Sequence, residues 1–460
     1  MKKSNRTYKH LIGLLLSLYL LALTACGAAV PQESSKVPSS APETAGTEAA
    51  PKPSVEESAG LSEQETAAPS GTQTAYEPGS AQAKKTDAAF REAYLGLAAK
   101  LFRTQYAEQD PKASSLVSPL SILIALTMTA NGAKEGTLAE MTALLGGNQI
   151  DLEALNQYIL GYIKSLPSAD KARLALADAI WVNDIADFSV LPAFLQKNRD
   201  YFNAEVYKAP FGPKTLDELN SWVEKNTDGM IKKILDELSD DARMVLINAL
   251  CFDAKWAEPF YEDYVHEQTF RAADGREQPV PMMHGSVYSY LKDQNTAGFV
   301  KSYEGGTYGF AALLPEEGIP IDDYIASLSA EKLKALLGSE SSEKVNIGLP
   351  KFSYDCSWLM NDALRELGMP QAFDPAAADF RGMSEDTRLY ISKVIHKTHI
   401  EVAEEGTRAA AVTAVVMDKS ASIPTEVKTV VLDRPFVYMI IDMENRLPVF
   451  IGAVTEISEN

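Results

Sequence analysis

Histidine is scarce in this sequence. There are five in 460 residues: His10, His266, His284, His396 and His399. None belongs to an H-E-x-x-H zinc helix, and no serine sits in a G-x-S-x-G elbow. His396 and His399 lie three apart on a stretch that reads as a strand. Side chains alternate along a strand, so the two point to opposite faces and make a poor metal pair. No nucleophile–base pair is visible, so enzymatic readings lack their machinery. Neither metal nor cofactor is expected. Basic residues are also short, 43 against 63 acids, for a net charge of −20. Phosphate contact requires a basic face, which argues against nucleic acid as a partner. The same deficit excludes simple adhesion to anionic lipid heads. Gly132 to Thr137 lacks the Gly-Lys-Ser/Thr ending of a phosphate-cradling loop. No repeat of fixed period is present.

Cysteine is rare as well, with three residues. Cys251 and Cys356 fall in segments that read as buried elements. An exported chain could join them in one disulfide; small core thiols are the preferred reading. Cys26 has a different setting. Lys2, Lys3, Arg6 and Lys9 precede an apolar run from Leu11 to Leu23, too short to span a bilayer comfortably. The run closes on Leu23-Thr24-Ala25-Cys26, which resembles a bacterial lipobox. Residues 1–25 then read as a lipoprotein signal peptide, and a lipidated Cys26 becomes the mature first residue. A plain signal peptide with a chance cysteine is the alternative. More than one acyl chain on Cys26 would anchor the chain stably. The expected location is the bacterial cell membrane, facing outside the cytoplasm.

Residues 26–85 are rich in Pro, Ser, Ala, Glu and Thr and nearly free of large apolar side chains. Such a composition cannot offset the entropy of ordering. It reads as a disordered tether, with a mean reach of about 40–45 Å for roughly sixty residues.

The folded part is expected over 86–460, and with 46% apolar residues the chain has ample material for a core. Phe90, Tyr94, Leu97, Leu101 and Phe102 recur at helical spacing, with Thr86 as the candidate cap. Helices are also expected through Ala130, up to Leu145, over Leu191–Tyr201, over Leu216–Thr227 and over Trp358–Leu367. Strands are expected over Arg173–Val182, Met244–Phe252, Gly298–Val300, Tyr308–Leu314, Val345–Phe352 and Leu389–Val402. Helices mixed with large sheets, without a strict βαβ rhythm, fit an α+β class.

One stretch stands out. Glu401 to Ser422 begins with acids, Glu404 and Glu405, then Gly406, Thr407 and Arg408. A run of small and β-branched residues follows, from Ala409, Ala410 and Ala411 to Val416, and Asp418, Lys419 and Ser420 close it. Small β-branched residues suit a strand; the flanks mark a loop. An ordinary Ala-rich strand or short helix is the plainer reading. Taken with its neighbours, the stretch resembles the reactive-centre loop hinge of serpins. Downstream, Arg434-Pro435-Phe436-Val437-Tyr438 and Leu447-Pro448-Val449-Phe450-Ile451-Gly452 resemble that family's C-terminal hairpin. Upstream, Ser114-Ser115-Leu116-Val117-Ser118-Pro119-Leu120-Ser121-Ile122, Asn248 and Trp256 fall where the family's strand, helix and central-strand residues fall.

The resemblance spans residues 86 to 458 and implies a serpin fold: large mixed β-sheets, surrounding helices and an exposed reactive-centre loop. It implies an irreversible suicide-substrate inhibitor of serine proteases, held in a covalent complex with its target. A non-inhibitory binding protein of the same fold and a cross-class cysteine-protease inhibitor are the alternatives. A monomer is expected. By the same resemblance Ser118, Ser121, Asn248 and His396 form a polar cluster where strands part. Lys351 and Glu404 pair at the top of the sheet near Trp256, and Glu404 to Ala411 form the hinge. The family's usual spacing puts the reactive bond after Ser420 or Ala421, with Lys419 and Met417 as alternatives. Small residues there suit elastase-like or subtilisin-like proteases. With Thr407 facing the core, alternation places Ala409, Ala411, Thr413, Val415 and Met417 on the same side. Arg408 departs from the family's usual Glu on the outward face.

Overall fold

The structure, a computed structural model, describes residues 72–73, 81–109, 113–166, 172–239, 241–385, 388–407 and 427–457. All belong to one unit, Thr66–Asn460. No helix among the described residues is long and apolar enough to cross a membrane.

Three sheets organise the chain. The main sheet has seven strands in the order Thr72–Gln73, Glu205–Ala209, Ala172–Asn183, Met244–Lys255, Gly406–Thr407, Ile395–Val402 and Phe352–Leu359. Its pairs are antiparallel except Ala172–Asn183 with Glu205–Ala209. Behind it a six-stranded sheet carries the C-terminal hairpin, Phe436–Asp442 and Leu447–Val454, every residue of which is buried. Continuous apolar runs of this kind suit strands covered on both faces. Strands Lys428–Val431, Val345–Pro350, Glu277–Val287 and Val265–Arg271 make the third sheet.

The helix Pro119–Ala130 is buried almost all round, as expected of a helix hydrophobic on every face. Ser118 caps it and Pro119 opens it, where its missing N–H costs nothing. The first long helix, Ala88–Glu108, buries the aromatic face read from the spacing. Its cap is Asp87, not Thr86: the Asp87 carboxylate accepts the Phe90 N–H at 3.0 Å, while Thr86 donates to Asn445.

Other expectations need correcting. Trp358 is a buried residue of the strand Phe352–Leu359, one short of its exposed end, and the helix after it covers only Asn361–Glu366. The long strand expected from Leu389 starts at Ile395. The segment read as a tether is tied to the domain near its end: Thr72–Gln73 pairs with Tyr207 and Lys208, and the Lys84 N–H donates to the Gln157 carbonyl. A Cβ on Gly161 would lie 2.0 Å from the Lys84 carbonyl oxygen, so this docking requires glycine there. Cys251 and Cys356 are buried and not joined in a disulfide, as the core-thiol reading expects, and burial pushes the Cys356 thiol up to about 11. Cys26 and the expected signal peptide lie outside the described residues.

Candidate functional site

The site is built around a tight hairpin. Strand Ile395–Val402 ends in a two-residue turn, Glu404-Glu405, and the chain folds straight back. The Ala403 N–H donates to the Gly406 carbonyl at 3.0 Å, and Val402 pairs with Thr407. The returning residues enter the main sheet. Gly406 pairs with Lys255 and Thr407 with Ala254 on the opposite strand. A Cβ on Gly406 would lie 2.1 Å from the Ala254 carbonyl oxygen, so glycine is required at this close approach.

The segment Trp256–Phe260 holds the turn with three hydrogen bonds. The Trp256 N–H donates to Glu405 O at 2.8 Å and the Phe260 N–H to Glu404 O at 2.8 Å. The Trp256 indole donates to Ala403 O at 2.9 Å. Lys351 Nζ lies 2.9 Å from Glu404 Oε1, with both side chains partly exposed. Thr407 is buried, and its Oγ1 lies 2.6 Å from the Tyr303 hydroxyl. Tyr303 stacks on Trp256 with ring centroids 4.5 Å apart.

Below Thr407, a cavity of about 650 Å³ lies between strands Met244–Lys255 and Ile395–Val402. Met244, Asn248 and Leu250 wall it on one side and His396 on the other, with Ser118 and Ser121 also facing it. His396 Nε2 accepts the Ser118 N–H at 3.0 Å. The Ser118 hydroxyl donates to Val449 O at 2.9 Å and accepts the Ser121 N–H at 3.2 Å. Burial pushes the His396 imidazole down to about 4, so it is neutral at pH 7.

Asn248 lines the same cavity but finds its hydrogen-bond partner on the neighbouring strand. Its amide donates to Asp178 Oδ1 at 2.8 Å, and no hydrogen bond joins it to His396 among the described residues. Asn248 Oδ1 and Asp178 Oδ2 are buried without partners. Burial raises the Asp178 carboxyl to about 7. His399 pairs with Asp355 at 2.8 Å, away from this cluster, and the described residues hold no group of three or more metal-ligating side chains.

The serpin (serine protease inhibitor) family model matches residues 92–457. The chain belongs to the serpin family. An uncharacterized serpin-like protein of Thermococcus kodakarensis is 34% identical over 342 residues, 73% of this chain and 79% of that protein. Leukocyte elastase inhibitor A of Rattus norvegicus is 29% identical over 372 residues, 78% of this chain and 96% of its own length. Among solved structures, the thermophilic serpin Tengpin in its native state is 40% identical with a TM-score of 0.76, covering 82% of this chain and 97% of that one. The family description is that of a protease inhibitor, not an enzyme.

For this serpin, the described residues bring together Glu404, Glu405, Gly406, Thr407, Trp256 and Lys351, and separately Ser118, Ser121 and His396. Arg408, Ala409, Ala410, Ala411, Met417, Lys419, Ser420 and Ala421 lie outside the described residues. The sequence reading missed Tyr303, Asp178 and Lys301. Asp178 sits inside an apolar run, in strand Ala172–Asn183, where a single acid among hydrophobic neighbours is the signal; Lys301 and Tyr303 stand at and just past the end of strand Thr296–Ser302, among Ser302 and Glu304, where nothing marks them.

Proposed function

We propose that this serpin is an irreversible suicide-substrate inhibitor of serine proteases, with an elastase-like or subtilisin-like target. One observation carries the reading: Gly406 and Thr407 are already paired between the two central strands, above a cavity walled by those strands. The start of a new central strand is in place, and the residues after it have a path to continue.

In the proposed reaction, the protease serine attacks the carbonyl on the N-terminal side of the reactive bond. The new ester holds the loop, and the downstream peptide leaves as a free amine. The upstream residues then enter the sheet behind Thr407, which draws the acyl-enzyme along and disables its hydrolysis. Each new ladder bond nets about 1 kcal/mol, so about ten bonds would make insertion strongly favourable. The uncut chain is then held by a barrier rather than by being most stable. The reactive bond follows Ser420 or Ala421 in this reading, with Lys419 and Met417 as alternatives. The likeness to leukocyte elastase inhibitor A supports the target class. We further propose that the chain is exported as a monomer and anchored through lipidated Cys26, with the residues before Thr72 as spacer.

The test is incubation of the full chain, purified in mild detergent, with elastase, subtilisin and trypsin. A complex resistant to SDS is expected, with a released peptide beginning at Ala421 or Ser422. Clean cleavage by all three without a complex would remove the inhibitory reading.

A further inference from the structure

The ladder that fixes the segment holding the hinge turn stops short. Trp256 bridges Tyr303, and the Ala257 N–H donates to Ser302 O at 3.0 Å. Two residues on comes Pro259, which has no N–H to offer. Backbone pairing therefore ends before Phe260, although Phe260 must still be placed to bond Glu404.

A side chain takes over at this point. Lys301 is buried, and its Nζ donates to the Glu258 carbonyl at 2.6 Å. The ammonium also lies 4.4 Å from the Phe260 ring centroid and 5.4 Å from the Trp256 centroid. Cation–π attraction at this range strengthens as water is excluded. One cation thus grips a carbonyl and two rings of the same five-residue segment. That segment makes all three hydrogen bonds to the turn Ala403–Gly406.

We propose that Lys301 is a positioning residue for loop insertion, pinning Trp256–Phe260 so that the hinge turn stays in the register from which insertion begins. The proposal rests on the inhibitory reading. It predicts a specific dependence on charge. Burial pushes the Lys301 ammonium down to about 8, so the grip weakens as pH rises through that value. The Glu258 carboxylate opposes this by favouring the charged form. Elsewhere around it, strand Tyr308–Pro315 carries no charged residue, and Lys292 pairs further along at Ala297. Phe260 packs on Gly285, next to His284, while Glu404 and Lys351 are paired with each other.

The experiment compares the full chain with Lys301→Arg and Lys301→Met from pH 7 to 9.5, each pair at equal pH. The first readout is the partition between SDS-resistant complex and cleaved chain with elastase. The wild type should lose complex across pH 8, by roughly fivefold for a grip of this kind. Lys301→Arg should stay competent and flat with pH. Lys301→Met should be impaired and flat. The second readout is amide exchange over residues 403–407, expected to speed up in Lys301→Met and not in Lys301→Arg. A methionine variant matching the wild type in both readouts overturns the proposal. If the wild type forms no complex at any pH, the inhibitory reading fails, and exchange alone still decides whether Lys301 holds the turn. Should Lys301→Met not fold, the wild-type titration is set against Lys301→Arg: a loss of complex in the wild type alone supports the role, and parallel profiles reject it.

Discussion

Thr407 and Tyr303 share a hydrogen bond of 2.6 Å inside the sheet, 104 residues apart in sequence. That bond between the two hydroxyls exists only while the hinge is inserted. A larger charged side chain at this buried position has no partner to meet. Thr407→Arg should convert the inhibitor into a substrate. The complex fraction on SDS gels should fall by roughly tenfold or more, since about 1.4 kcal/mol suffices for that and an unpaired buried charge costs more. A variant that still forms stable complex would place the determinant elsewhere.

Gly406 is constrained by backbone, not by a movable side chain. With the Ala254 carbonyl 2.1 Å from any Cβ, no rotamer relieves the clash. Gly406→Val should push the hinge out of the sheet while leaving the rest of the fold intact. Amide exchange at Thr407 should then approach that of a free loop, and melting after loop cleavage should rise less than in the wild type. Unchanged protection at Thr407 would contradict the geometry.

The pair Lys351–Glu404 is partly exposed, at 38% and 22%. Exposed pairs of this kind contribute about 0–1 kcal/mol, so its loss alone should scarcely move the melting temperature. Its position matters more, because it clasps the turn between strand Ile395–Val402 and Gly406–Thr407. Glu404→Lys places two ammonium groups together there and should promote polymerisation on mild heating, seen as a ladder on native gels. Reversing both charges, Lys351→Glu with Glu404→Lys, should restore the monomer. A double variant that polymerises as readily as the single would refute the pairing.

Much of this was legible in the sequence for identifiable reasons. Glu404 to Thr407 could be read because glycine, acids and small residues signal a turn and a narrow strand by composition alone. The C-terminal hairpin was legible because both its strands are buried throughout. The misread helix at Trp358 had a warning: Phe352, Tyr354, Cys356 and Trp358 alternate with Ser353, Asp355 and Ser357, a period of two rather than 3.6. Lys301 was invisible because a buried lysine looks like a surface one until the rings around it are placed. Asn248 lines the same cavity as Ser118, Ser121 and His396, but its hydrogen-bond partner was not legible, because sequence supplies residue types and not partners; Asp178, directly across the ladder, captures its amide.

His396 and Asp178 make the stability of this serpin depend on pH in opposite senses. His396 has a folded value of about 4, below its ordinary 6.5. Between these values the unfolded chain binds a proton that the folded chain refuses, so stability falls as pH drops from 6.5 toward 4. Asp178 has a folded value of about 7, above its ordinary 3.8. Here the folded chain keeps a proton that the unfolded chain has lost, so stability falls as pH rises from 3.8 toward 7. Each amounts to about 3–4 kcal/mol at most, using 1.36 kcal/mol per unit, and over the shared window the two nearly cancel. The wild type should show a urea midpoint almost level between pH 4.5 and 6.5. Asp178→Asn removes one arm, and its midpoint should climb with pH across that range. His396→Gln removes the other, and its midpoint should decline. Midpoints followed by fluorescence at several pH values test both at once, and slopes of the same sign in the two variants would show that these buried groups do not titrate as their surroundings require.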